Sequence, residues 1–523
     1  MPRLLKAVVV FGILNAAAYS CLLPLWEGFD EGFHFGYVQS LATSGSFPVL
    51  GKTNLSKEVW HSYELVPVSQ YLQAYTRAPV NFSDYFATTE EQRKERRHQL
   101  ETLPAGEKFE PQPDKPNYEV NQAPLPYLFM AIVHRALSGS SLPTRVLWLR
   151  LICSALAAVL LSHATVLMAR EISLPDFEVC AVLFCTFSSQ MLLAVISHVS
   201  NDCFAVPAMG YLIWTSMRAA RTGSPGDFLR LSVALATALL TKAYFLFLIP
   251  LPLGIVAWTL FQRRLSLKAG AWFVLPQLLL VGPWYLRNVI LYNNLSATVE
   301  STSGLGLRKA ASAAFELPWL ESIRYMAHSS LWTGNNSFTT FSSATLNLVL
   351  LLLGAGVVLY TLRARPDPAE LTLATAVVLF CCGVAVISVA FFASSKGAVN
   401  SAVPWYQQVL LMPILLIVFL GLHRWKRVGT VGGAAFVLVW TYLLLATYWV
   451  KLVPLYGGFP QGRTQLRPLI QWYLHQSAAR DSILRWLCLA PLSLLWTLII
   501  STSLATIVLC GVLLLKALRG QIA

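Results

Sequence analysis

Apolar residues in this chain come in long runs rather than in the broken patterns of a soluble core. The stretches 344–362, 371–393, 428–450 and 487–515 contain no Asp, Glu, Lys or Arg. At 1.5 Å per residue each covers most or all of a ~30 Å hydrocarbon layer. A soluble amphipathic helix would show polar residues on every turn. Further runs occupy 7–25, 145–169, 177–196, 202–218, 228–241, 243–260, 270–290 and 407–422. The pattern therefore predicts an all-α polytopic membrane protein with about twelve crossing helices and one large hydrophilic segment, 26–122, straight after the first. The run 123–137 is different. It reaches only about 22 Å as a helix, opens with Pro124 and Pro126, and carries His134 and Arg135 near its end. It is predicted to lie along the membrane surface.

Charge placement orders these segments. Five short loops are basic, 217–230, 262–268, 363–365, 423–427 and 516–519, and the positive-inside rule assigns all five, with both termini, to the cytoplasm. Segments 26–122, 291–343, 394–406 and 451–486 then fall outside, with Lys242 between two short apolar arms. Parity holds only if 123–137 does not cross. The first run follows Arg3 and Lys6 and has no small-x-small cleavage site before Trp26, so it reads as a retained anchor. Residues 1–300 form a first module that includes loop 26–122 and juxtamembrane segment 123–137; 301–523 supply the remaining helices. Within the large loop, the charged run 93–98 reads as a solvated helix face, and Pro111, Pro113 and Pro116 as an extended linker.

Composition agrees. The chain is 56% hydrophobic and 12% charged, against about 25% charged for soluble domains. A net charge of +14 could suggest nucleic acid, but the basic residues sit in short loops between apolar runs, so no nucleic-acid partner is expected. The nine cysteines lie mostly inside apolar runs without C-x-x-C spacing, which indicates neither a disulfide framework nor a zinc site.

The densest chemistry lies at the outer end of the first run, Trp26-Glu27-Gly28-Phe29-Asp30-Glu31-Gly32-Phe33-His34. Ionisable groups at a membrane surface are costly unless they face water, a partner or a site. If Asp30 opens a helix, His34 falls on the same face four residues on. A carboxylate there could remove a proton from an acceptor or help hold a divalent cation; equally, Asp30 could be a hydrated helix cap. Ser200-Asn201-Asp202 supplies a second acidic feature on the same side. Lys242, Arg287 and Lys396 are cations on the side the loop rule disfavours, hence candidate anion partners, with snorkelling to the interface as the plain alternative. Glu119, Asn121 and Gln122 lead into the proline-opened segment and could line a cavity mouth.

Together these motifs resemble the GT-C class of membrane glycosyltransferases, a class that includes protein O-mannosyltransferases and lipid A aminoarabinose transferases. The resemblance rests on Asp30-Glu31-Gly32-Phe33-His34-Phe35, Gln122-Ala123-Pro124-Leu125-Pro126-Tyr127, Ser200-Asn201-Asp202, Thr241-Lys242 and Trp284-Tyr285-Leu286-Arg287-Asn288. It departs at Ala123, where relatives have proline, and at Gly28-Phe29, and it is thin in the C-terminal third. It implies a GT-C-like fold and transfer, with inversion, of a hexose or pentose from a polyprenyl-phosphate donor to an acceptor hydroxyl on a glycan, lipid or protein. It places the protein in a bacterial plasma membrane with the reaction on the exterior face. Asp30 and Glu31 would be catalytic, and Lys242, Arg287 and Lys396 would bind the donor phosphate. Asp202 would be the second acid, and His34, Glu119, Gln122 and Asn201 would line the substrate cavity. No cofactor is required by these motifs, although a divalent cation on Asp30 and Asp202 is compatible with them. A transporter or flippase is the competing class. It would place its key charges near mid-membrane, whereas these sit at helix ends.

Overall fold

A computed structural model describes residues 2–265, 267–298, 306–364, 367–395, 404–460 and 466–519. The architecture is all-α and polytopic. Among the described residues nine helices are long and apolar enough to cross a membrane: Arg3–Leu22, Leu142–Glu171, Ala243–Phe261, Gly270–Tyr292, Ser343–Thr361, Pro368–Ser394, Trp405–His423, Val428–Tyr456 and Leu492–Leu518. A tenth is a pair, Asp176–Phe187 and Gln190–Ile196, bent by 72°. The other two of the expected twelve are also helical, Asp202–Thr222, which carries charge at both ends, and the shorter Pro225–Leu239.

The bent pair has a polar hinge. Asn15 Nδ2 donates to the Phe187 carbonyl at 2.6 Å, and Trp440 Nε1 donates to Ser189 Oγ at 2.7 Å. Groups freed by the break are thus met by neighbouring helices, as hydrocarbon surroundings demand.

The basic loops gather at one end of the bundle. Arg264 donates to the Arg221 carbonyl at 2.6 Å, Arg221 pairs with Asp367 at 3.2 Å, and Arg363 donates to the Arg424 carbonyl at 2.6 Å. The large loop sits at the opposite end, where the first helix finishes. Its strands Asn54–Ser56 and Pro111–Pro116 pair antiparallel, Asn54 opposite Pro116. The expected proline linker is therefore an edge strand, a position that tolerates missing N–H donors.

The segment expected along the membrane forms Leu125–Ala136, about 18 Å long and too short to cross. It packs on the helix Glu31–Ser44, with Arg135 Nε donating to the Ala42 carbonyl at 2.7 Å. One expectation fails. The 93–98 run lies in the helix Glu90–Glu101, but its arginine face is not solvated. Arg93 is buried and donates to Ser482 at 3.2 Å, and Arg97 donates to the Cys488 carbonyl at 3.2 Å. Carbonyls freed at the end of the helix Ser477–Leu487 give Arg97 a partner, and the Ser482 hydroxyl gives Arg93 one, that sequence spacing could not reveal.

Candidate active site

The turn between the first helix and the next holds two non-glycine residues in the left-handed region, Trp26 (φ 65°) and Asp30 (φ 53°). Each costs roughly 1–2 kcal/mol, so surrounding contacts must hold the turn. Trp26 is buried, and its Nε1 donates to Ser62 Oγ at 2.8 Å. Asn336 Nδ2 donates to the carbonyls of Trp26 and Gly28 at 3.0 and 3.1 Å. Gly28 is needed for a close approach, because a Cβ there would meet His198 at 2.6 Å.

Asp30 occupies the N-cap position of the helix Glu31–Ser44, yet its side chain caps nothing. Instead it accepts a hydrogen bond from the Tyr118 hydroxyl at 2.5 Å. Glu27, Glu31, Glu119 and Asp202 are buried around it, while Asp30 keeps exposed surface. Burial lifts its carboxyl above the usual aspartate range, partly offset by the Tyr118 bond and the positive field of His198 and Lys242. The result is a base strengthened by its surroundings and still open to a reactant.

Glu31 is committed differently. Arg150, on the helix Leu142–Glu171, donates from Nε at 2.7 Å and from Nη2 to its carboxylate, and Val199 N–H adds a bond at 3.0 Å. Burial works to raise the Glu31 carboxyl, but Arg150 overrides it and holds the group below its usual range. Arg150 also donates to the carbonyls of Ser20, Leu23 and Pro24 at 3.2, 2.6 and 3.0 Å. Those carbonyls end the first helix, so the pair fixes where Asp30 begins.

Asp202 opens the helix Asp202–Thr222, and Lys242 lies where the chain breaks after Pro225–Leu239. The two meet at 2.5 Å, both buried. The Lys242 ammonium also stands 4.8 Å from the Tyr406 ring centre and 5.4 Å from that of Tyr244. It is among the residues lining a cavity of about 500 Å³. The lining also includes the polar Gln122, Asn294, Ser296 and Thr298 and the apolar Leu246, Phe247, Val386, Ile387 and Ala390.

Glu119 and His34 sit between these groups. Burial, then the charge of Asp30, pushes the Glu119 carboxyl up to about 8. Its Oε2 is buried without a hydrogen-bond partner among the described residues, 3.7 Å from His34 Nδ1. His34 Nδ1 is 2.7 Å from the Tyr127 hydroxyl, and burial followed by Lys242 holds the imidazole well below its usual pKa, hence neutral. Asn201 Nδ2 donates to Gln122 Oε1 at 3.1 Å and to the Thr241 carbonyl at 3.3 Å.

Asp30, Asp202, Lys242, Glu119, His34, Gln122 and Asn201 therefore occupy one neighbourhood. Glu31 adjoins it as half of a closed ion pair. Arg287 points elsewhere: its Nη2 donates to the Pro48 carbonyl at 2.6 Å and its guanidinium lies 4.8 Å from the centre of the Trp284 ring. It does not line the Lys242 cavity. Lys396 lies outside the described residues. Among the described residues no group of three or more His, Cys, Asp or Glu is arranged to hold a metal ion. Sequence reading passed over Tyr118, Arg150 and Tyr406, and gave Glu27 no role of its own within the acidic stretch. Only Arg150 carried a usable signal, a guanidinium five residues into an apolar run.

No protein-family model matches the chain, and no curated protein sequence matches it. Among solved structures, it is similar to ArnT from Cupriavidus metallidurans, crystallised bound to undecaprenyl phosphate. The alignment covers 97% of this chain and 77% of that one, at 14% identity and a TM-score of 0.47.

Proposed function

We propose that this protein is a membrane glycosyltransferase of the GT-C class. It moves a sugar from a polyprenyl-phosphate donor to an acceptor hydroxyl, with inversion at the anomeric carbon and on the exterior side. The observation that carries this reading is a cavity lined by Lys242 together with polar and apolar side chains, with the partly exposed Asp30 within the field of that ammonium. A lipid phosphate fits such a space, with the charged group against the ammonium and the chain along Leu246, Phe247, Val386 and Ile387.

In this reading Asp30 accepts the acceptor's hydroxyl proton as the oxygen bonds to the anomeric carbon. The bond from that carbon to the phosphate oxygen breaks, and the leaving phosphate carries the electron pair. Lys242 stabilises that growing charge in a site with little water, where a fixed cation acts most strongly. Asp202 holds Lys242 in place, and Glu31 acts on Asp30's position through Arg150. Gln122 and Asn201 orient the donor headgroup, and the neutral Glu119 and His34 offer hydrogen bonds without adding charge.

The test is transfer from radiolabelled lipid-linked sugar by purified protein. Asp30→Asn should lower it by about 10²–10⁴-fold while inserting and melting as wild type. Full activity of that variant would remove Asp30 from the chemistry. Substrate accumulation inside proteoliposomes without covalent transfer would favour the transporter reading instead.

A further inference from the structure

A second cavity, of about 570 Å³, lies at the other end of the bundle, where the basic loops gather. It is walled by Phe177, Phe419, Leu422, Val437, Leu513 and Leu514, and Lys426 and Lys516 line it as well. Among the described residues neither lysine has a carboxylate partner. The one acid on the lining, Glu178, is 2.8 Å from His423 Nδ1. Lys426 also holds φ 41°, a left-handed conformation that a lysine adopts only at a cost. The helix that it starts, Lys426–Ala446, has no side-chain cap on its first N–H groups.

We propose that this cavity is a binding site for an anionic membrane lipid. The phosphate lies between Lys426 and Lys516, and one hydrocarbon chain lies along the phenylalanines and leucines. Two observations favour a lipid over a soluble anion. Beyond the lysines the lining is mostly apolar, Glu178, His423 and Thr430 being its other polar side chains, and the residues flanking it, Val428, Val431, Leu515 and Leu518, are large, apolar and more than half exposed. A free phosphate would use the lysines and leave the apolar wall empty. The site is independent of the Lys242 cavity and of the transfer reaction.

Native mass spectrometry of the full chain released from detergent tests this, with phosphatidylglycerol, phosphatidylcholine and inorganic phosphate added separately. Wild type should retain one phosphatidylglycerol in preference to phosphatidylcholine. Lys426→Gly with Lys516→Gln should lose about 25-fold in that affinity, at about fivefold per lysine. Glycine relieves the backbone strain at 426, so misfolding would not explain the loss. Gly433→Phe should block the chain without touching charge: Gly433 lines the cavity, and a Cβ there meets nothing closer than Phe419 at 3.8 Å. Equal lipid retention by wild type and both variants would overturn the proposal. So would inorganic phosphate binding as tightly as phosphatidylglycerol, which would make the lysines a site for a free anion.

Discussion

Among the buried pairs of opposite charge at the loop-bearing end, Arg150 with Glu31 and Lys242 with Asp202 are finished differently. A guanidinium has five N–H donors. Those of Arg150 go to two carboxylate oxygens and three helix-ending carbonyls, so nothing is left for a ligand. Among the described residues the Lys242 ammonium has one hydrogen bond, to Asp202, and otherwise faces two aromatic rings and an open cavity. Both pairs carry the expense of burial. A charge whose donors are all used holds the fold, whereas a charge with spare donors can meet a substrate.

The largest effect that would break this comparison lies in the closed pair. Arg150→Met leaves Glu31 buried and uncompensated, and should cost about 3–5 kcal/mol of stability, seen as a lowered melting temperature in detergent. Adding Glu31→Gln should restore much of it. In the open pair, Lys242→Gln should lower transfer by about 10²–10³-fold with a smaller loss of melting temperature than Arg150→Met. If the two variants lose stability equally, the distinction between them fails.

A smaller effect sharpens the position of Asp30. Tyr118→Phe removes a donor to its carboxylate, a bond of about 1.5–3 kcal/mol. The Asp30 pKa, already raised by burial, should rise further, and the acid limb of the pH–rate profile should move to higher pH.

The smallest effect concerns Glu119. The folded protein keeps its proton up to about 8, whereas an unfolded chain releases it near ~4.3. The folded state thus binds more protons between those values, and stability falls as pH rises through that window. Glu119→Gln should leave melting below about pH 4.3 almost unchanged and flatten the decline from there up to about pH 8.

Much of this arrangement was legible in the sequence, for physical reasons. Charge-free runs identify membrane-length helices because a bilayer tolerates little else, and basic loops mark one end because they resist translocation. Asp30, Asp202 and Lys242 stood out because a lone charge beside apolar spans needs a reason. Tyr118 and Tyr406 could not be found that way, since tyrosine is ordinary at a membrane interface. Arg287 fitted the same charge argument as Lys242, yet the Trp284 ring one helical turn back and the Pro48 carbonyl, 239 residues away in the chain, take it up. Glu31 was read as chemistry because it adjoins Asp30; the guanidinium that claims it is 119 residues away.

Glu27 has a consequence for how the molecule is made. Burial pushes its carboxyl up to about 8, and its partners are Ser337, at 2.9 Å to the backbone N–H, and the Tyr456 hydroxyl at 3.4 Å. These lie 310 and 429 residues further along the chain. The ribosome delivers residues 26–30 long before either partner exists. The turn that presents Asp30 therefore lacks part of its support until nearly the whole protein has been synthesised and inserted, so competence is completed at the close of biogenesis rather than at its start.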